Sequence, residues 1–514
     1  MQIKLFIFLF NLFVFSTIGI GFSETENKKQ PLSAIDWLTD LYLRIEEEPN
    51  LLNPSIEVNS AFSTAQPTNL NATTGSISVA KKKPLDLSKI FIKKSSFENL
   101  SKMISQIDND IPPPLLSLFY KILSTHYTEA FEEDSDHQLL KAQIDKLLNF
   151  GAVNKAKFIL DHEKINSNYF FDRWFSINLI TYTEQELCKS SISKQYHLSK
   201  YKEKIFCLAI LKNIKTAKLT LTGLEALEVI SLRDEVLLYN LLHPDMDLLS
   251  NYENLESNIT PLDYRIYKHI GKKLSLKKLP KMYHYSTLLG EPIWEVKISA
   301  TEGLVKTGAV RFEKLISAYL EVPAEATGEL SKRARLTINL EKNLKLQPTA
   351  NTTTEFTKLF RELQKVGLES AAIRHYSNDL LNLVNSEKNS NKVLKFLLKS
   401  ADLNTLRKLK NIKKLTPIYR ALIFDTPLKR KPNSKIAHAL LNASQQKLVP
   451  IVFEELVAEG KYGDAILSSI LLLSGANLKD PKNLEDGIGL LNFMGLNELA
   501  RETSIYLLAN KVVK

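Results

Sequence analysis

Glycine is scarce in this chain, 17 in 514 residues, and four of those glycines stand in one frame. The frame is Leu-x3-Gly-x4-Ala: Leu147/Gly151/Ala156, Leu363/Gly367/Ala372, Leu456/Gly460/Ala465 and Leu491/Gly495/Ala500. A glycine that closes an apolar run lets a helix end in a left-handed cap, because it has no Cβ to meet the neighbouring carbonyl. The alanine that follows lets the next helix pack back closely. Such a frame is the mark of helices added pair by pair. Sandwiches and doubly wound sheets need many glycine turns, which this chain lacks. The expected fold is therefore all-α, a degenerate helical-repeat solenoid.

Local helix signals agree. Ser95 and Glu98 form a capping-box pair ahead of Phe97, Leu100, Met103, Ile104 and Ile107, which share one helical face. Pro112, Pro113 and Pro114 suit only the first turn of a helix, here Leu115 to Leu123. Pro292 opens a helix through Ile298, and Pro481 another through Leu491. Thr352 and Glu355 frame a start before the stripe Phe356, Leu359, Phe360, Leu363 and Val366. Alternation of period two is nearly absent after residue 85. Before it, Ile56-Glu57-Val58 and Ile77-Ser78-Val79 alternate and predict a small ribbon.

The N-terminus reads as an export signal. Met1 and Lys4 give a positive start, Leu5 to Phe22 carries no charge, and Gly21 and Ser23 are small at −3 and −1 of a cut before Glu24. The alternative is an uncleaved anchor of residues 5–22 in the inner membrane. The expected layout is a signal peptide (1–23), a short helix within 24–48, a low-complexity linker (49–90), a helical-repeat domain (91–345) and a second helical domain (346–514). The short helix, Ala34 to Glu47, is amphipathic through Ile35, Leu38, Leu41, Tyr42 and Ile45. The linker is rich in Ser, Thr, Asn and Pro, with little to bury.

Export bears on the two cysteines, Cys188 and Cys207. In an oxidising periplasm they form a disulfide; otherwise they are two buried thiols. Thr183 and Glu186 cap the helix carrying Cys188, and Cys207 lies in the run Lys202 to Leu211. The bond therefore staples a helical hairpin, and closing its loop contributes on the order of 3 kcal/mol.

The net charge is +11. An exported chain rarely meets nucleic acid, so the expected partner is a protein or an anionic envelope polymer, and a membrane only if the signal stays uncut. Basic residues cluster at Lys272, Lys273, Lys277, Lys278 and Lys281, at Arg407, Lys408, Lys410, Lys413 and Lys414, and at Lys429, Arg430 and Lys431. They read first as solvated faces, and as a binding surface if they share one side. The aromatic stretch Tyr169, Phe170, Phe171, Trp174 and Phe175 reads as core.

Chemistry is hard to find. The nine histidines are scattered, and the cysteines lack zinc spacing. The acidic run Glu132 to Asp136 lacks the glycine and glutamate of a calcium loop, so Asp136 reads as a helix cap. Gly487-Ile488-Gly489 follows no strand and cradles no phosphate. No cofactor, metal or catalytic set is expected.

Gly460-Lys461-Tyr462-Gly463-Asp464-Ala465 resembles the middle of a tetratricopeptide unit, and the last two frames are close to that repeat's period. Gly495 to Ala500 is similar without the aromatic, and Pro481 is out of register. The resemblance implies tetratricopeptide-like packing near the C-terminus. The wider layout resembles exported helical proteins of alphaproteobacteria, through the signal, the low-complexity lead, Ile111 to Leu116 before a helix, Leu147 to Leu160 and the paired cysteines. That implies location and fold, and no activity. Glu369-Ser370 after Gly367-Leu368 is similar to the catalytic pair of soluble lytic transglycosylases, which would imply a peptidoglycan-active enzyme with Glu369 as its acid. The later glycine–glutamine and alanine–tyrosine–asparagine motifs of that family are missing. Glu369 reads instead as a surface residue early in a helix.

The export reading predicts a mature chain that starts at Glu24 and gains the mass of two hydrogens on reduction. An intact mass that retains residues 1–23, or does not change with reductant, contradicts it.

Overall fold

A computed structural model describes residues 90–125, 127, 137–162, 167–193, 200–249, 258–346, 351–386, 390–428, 432–445 and 448–510. The signal, the helix of 34–47, the linker with its ribbon, the acidic run 132–136 and the basic run 429–431 lie outside these residues. Among the described residues the fold is all-α, with 25 α-helices and no strand.

Prolines open Pro113–Ser124 and Pro481–Phe493 as expected, but Pro292 does not open a helix: it precedes the cap Ile293 of Trp294–Lys306, which runs past Ile298. The serine and threonine caps differ. Ser96, not Ser95, caps Phe97–Gln106, its hydroxyl accepting from the Asn99 amide at 3.2 Å. A turn through Lys94, at φ +58°, folds Ser95 into the core and leaves Ser96 extended, as a cap requires. Asn351 precedes Thr352–Gln364 without a side-chain cap, and Glu355 accepts from Asn343 instead. The Thr183 hydroxyl donates back to the Asn178 carbonyl and side chain. His137, in the left-handed region, precedes Gln138–Asn149.

All four frame glycines have positive φ: +80° at Gly151, +74° at Gly367, +78° at Gly460 and +79° at Gly495. The residue after each glycine donates its amide to the frame leucine's carbonyl, at 2.8 Å (Leu147), 2.9 Å (Leu363), 2.8 Å (Leu456) and 2.9 Å (Leu491). Each glycine amide in turn reaches the carbonyl three residues back. This pair of bonds is the Schellman motif, which satisfies carbonyls a helix end would leave bare. The same post-glycine residue starts the next helix, since its carbonyl accepts from the frame alanine's amide at 2.9–3.2 Å. Ala156, Ala372, Ala465 and Ala500 are fully buried at the crossing.

The motif extends beyond the four glycine copies. Leu208, Lys212 and Ala217 repeat it, with Lys212 at φ +62° and Asn213 donating to Leu208 at 2.8 Å. Leu304 and Gly308 repeat its first half, with Ala309 donating to Leu304 at 3.0 Å.

Neighbouring helices pack along the chain, among them Lys281–Gly290 on Trp294–Lys306 and Glu329–Leu346 on Thr352–Gln364. Leu340 and Phe356, on either side of residues 347–350, are buried in one cluster. The chain also closes on itself. Phe97–Gln106 packs on both Gln138–Asn149 and Tyr462–Leu472, and Pro113–Ser124 on Asn497–Ala509. The Gly475 amide donates to Asp110 at 3.1 Å, and Asn99 bonds Asp464. Arrays in which each repeat touches only its neighbours leave their ends apart; here the first described helices are seated on the last.

Cys188, on Glu184–Ser193, is bonded to Cys207, on Tyr201–Ile210, with Cα atoms 5.0 Å apart. Charges brace this hairpin: Lys202 bridges Asp234 and Asp263, Arg233 pairs with Asp263 at 2.8 Å, and Arg265 pairs with Glu184. Asp263 is fully buried, so losing both Lys202 and Arg233 strands its charge, at a cost of roughly 3–5 kcal/mol.

The turns predict a graded glycine series. Gly495 has open space around it, so Gly495→Ala costs only the left-handed backbone, about 1–2 kcal/mol. Gly151→Ala costs clearly more, because its Cβ falls 2.4 Å from Leu304 Cδ2 and 2.8 Å from the Lys281 carbonyl oxygen. Lys212→Gly stabilises by about 1 kcal/mol. Denaturant melts that rank Gly495→Ala as the more damaging, or that show Lys212→Gly as a loss, contradict this account.

Candidate functional site

Three of these turns meet in one place. The Gly151 turn abuts Lys281 and Leu304. Thr307 Oγ1 donates to the Phe150 carbonyl at 2.7 Å, and Tyr120 OH donates to the Thr307 carbonyl at 3.0 Å. Tyr285 OH donates to Asn154 Oδ1 at 2.5 Å. The Gly308 turn sits against Leu116 and Tyr120, and a Cβ on Gly367 would lie 3.1 Å from Lys306 Cε. Glycine suits these positions because each has positive φ, and at Gly151 a Cβ would also meet Leu304 and the Lys281 carbonyl oxygen.

The junction gathers positive charge. Lys155 Nζ lies 5.8 Å from the centroid of the Tyr120 ring. Burial, and then Arg311 nearby, holds Lys155 below the ordinary lysine value; burial and Lys306 do the same to Lys281. His284 is pushed down to about 4 by burial and by Lys281, and its Nε2 contacts the Leu276 carbonyl at 3.1 Å. Its ring sits where Gly303 has no side chain. Among the described residues no carboxylate pairs with Lys155, Lys281, Lys306 or Arg311. Convergent cations without a counter-charge repel one another, and an anion entering among them relieves the repulsion.

The basic runs read from the sequence take little part. Lys281 alone joins the junction from the first. Lys277 and Lys278 lie exposed on the 3-10 turn Leu276–Lys278, and Lys413 and Lys414 on Ile412–Lys414. Arg407 is engaged with Glu498 at 2.6 Å. The sequence reading missed Lys155, Lys306, Arg311 and Tyr120. Its one available signal was the half-frame Leu304-x3-Gly308, which contains Lys306 and is followed by Arg311.

Other candidates fall elsewhere. Gly460 faces only Lys94, and Gly495 open space. Glu369 accepts from Lys399 at 2.7 Å, as one half of an ion pair. Phe170 and Phe175 are core residues. Among the described residues no group of three or more His, Cys, Asp or Glu side chains is placed to hold a metal ion, and no helix is long and apolar enough to cross a membrane.

No family model matches the sequence, and no curated protein or solved structure matches it.

His284 gives the junction a pH signature. Its folded value, about 4, lies below the ordinary 6.5, so protonation favours the unfolded chain. Stability is intact above pH 6.5 and lost as pH falls from 6.5 through about 4, by on the order of 2–3 kcal/mol. Unfolding free energies measured across this window converge for wild type and His284→Gln at low pH. A wild-type-minus-variant difference that does not change with pH contradicts the assignment.

Proposed function

We propose that this chain is an exported, non-catalytic helical scaffold that binds an anionic envelope polymer at the junction of Lys155, Lys281, Lys306 and Arg311. The observation that carries this reading is the convergence of four cations from three chain segments, with no carboxylate among the described residues to neutralise them. The scaffold is a solenoid with tetratricopeptide-like units near its C-terminus, similar to exported helical proteins of alphaproteobacteria. The Schellman-linked helix pairs support the solenoid reading. Export rests on the signal-like residues 1–23, and the bonded Cys188–Cys207 pair is compatible with an oxidising compartment.

Three turns fix the backbone beneath these cations, so little rearrangement is needed before a ligand lands. Preorganised charge of this kind acts mainly on encounter and specificity, and weakens with salt. Fluorescently labelled poly-L-glutamate, as the anionic probe, should bind the wild type in a salt-dependent manner. The triple variant Lys155→Glu, Lys306→Glu, Arg311→Glu should bind at least about tenfold more weakly, with unchanged helical circular dichroism. Lys413→Glu with Lys414→Glu, on the other basic turn, should bind as wild type does. Equal binding by the triple variant, or binding indifferent to salt, removes the junction as the site.

A further inference from the structure

The helix Ile214–Ala226 is held only along one edge. It packs on Tyr201–Ile210 and Leu232–Leu242, and only Ala217 and Leu221 are buried. Its opposite face is exposed and, apart from Lys215, uncharged: Thr216, Leu219, Thr222, Gly223 and Ala226. Leu219 is 75% exposed, and Leu227, Val229 and Leu232 just beyond the helix are 70%, 57% and 55% exposed. Four large apolar side chains this open within fourteen residues are more than an ordinary surface segment carries.

Two further observations say what covers this face. The first is Gly223. Glycines inside other helices have a neighbour in place of the missing Cβ: Gly303 faces His284, Gly463 the Phe91 carbonyl and Gly487 the side chain of Leu473. Gly223 has nothing within 4 Å. Glycine in a helix interior costs about 0.5–1 kcal/mol against alanine, and nothing in the packing of the described residues accounts for it. The second is charge. Lys212, Lys215 and Lys218 lie at the start of the helix and Glu225 and Glu228 at its end, and none makes an ion pair among the described residues.

We propose that this face docks onto the same face of a second copy, the two Ile214–Ala226 helices running antiparallel about a two-fold axis. That arrangement is self-complementary, as a two-fold interface requires. Leu219 of each copy enters the space left open at Gly223 of the other. Lys218 and Lys215 of each copy come beside Glu225 and Glu228 of the other. Antiparallel helix dipoles add to the attraction. The stapled hairpin behind the helix holds the face still, through the Cys188–Cys207 bond and the Lys202 bridge. The contact is about two helical turns with an apolar fringe, below the area of a standard stable interface, so the dimer is a weak one.

Sedimentation equilibrium of the mature chain, taken up to several hundred micromolar, tests this. The wild type should show a reversible monomer–dimer equilibrium. Leu219→Glu and Gly223→Leu should each weaken it at least tenfold while thermal melts stay near wild type. The pair Lys215→Glu, Lys218→Glu and the pair Glu225→Lys, Glu228→Lys should each lose self-association and regain it when mixed. A wild type that stays monomeric, a dimer indifferent to Leu219→Glu, or charge variants that do not associate on mixing would each overturn the proposal.

Discussion

The fold depends on one backbone bond made again and again: the amide of the residue after a left-handed turn donating to a carbonyl five residues earlier. A helix end leaves carbonyls without partners, and a buried one is costly to leave bare. The Schellman bond satisfies such a carbonyl and at the same time reverses the chain, so the residue that closes one helix opens the next. At Gly151, Gly367, Gly460 and Gly495 this happens with bonds of 2.8–2.9 Å, and a buried alanine follows in register. Because direction is set locally, neighbouring helices pack before any distant contact is needed. The closure of the first described helices on the last then adds constraints that a string of turns alone lacks.

The charged junction follows from the same turns. Cations on three separated segments face one another only because the Gly151, Gly308 and Gly367 turns come together around Thr307 and Lys306. Elsewhere the structure handles charge conservatively: Arg173 is paired with Asp145, Arg333 with Glu302 and Lys399 with Glu369. The contrast carries the functional reading. Those ions have carboxylate partners, and buried Lys146 is held by the Ser105 and Ile107 carbonyls. Among the described residues the four junction cations have no carboxylate partner, Lys155 held below its ordinary value by burial and Arg311, and Lys281 by burial and Lys306.

How much of this was legible in the sequence depended on whether a residue's role is local. The frame was legible because glycine is scarce and the left-handed region selects it. The copy at Leu208, Lys212 and Ala217 was not, because Lys212 takes the same conformation at an energetic cost that its neighbours outweigh. The starts at Pro113 and Pro481 were read correctly, since a missing amide is a local fact, but Pro292 lies ahead of Ile293, which caps Trp294–Lys306. The serine cap slipped by one residue because burial of Ser95 is decided by tertiary packing. The Cys188–Cys207 bond was inferred from the compartment and is present at bonding distance. The junction was hidden because its charges lie at 155, 281, 306 and 311, while the visible runs of lysine occupy exposed 3-10 turns.

The central claim is that the turns build a cationic junction and that an anionic polymer binds there. Hydrogen exchange of the backbone amides, read peptide by peptide with and without poly-L-glutamate, tests it most directly. The account predicts slowed exchange in residues 150–156, 281–285 and 303–311 together, with residues 412–415 unchanged. Protection centred on 272–278 or 407–414, or none in the three junction segments at a saturating concentration, would contradict it.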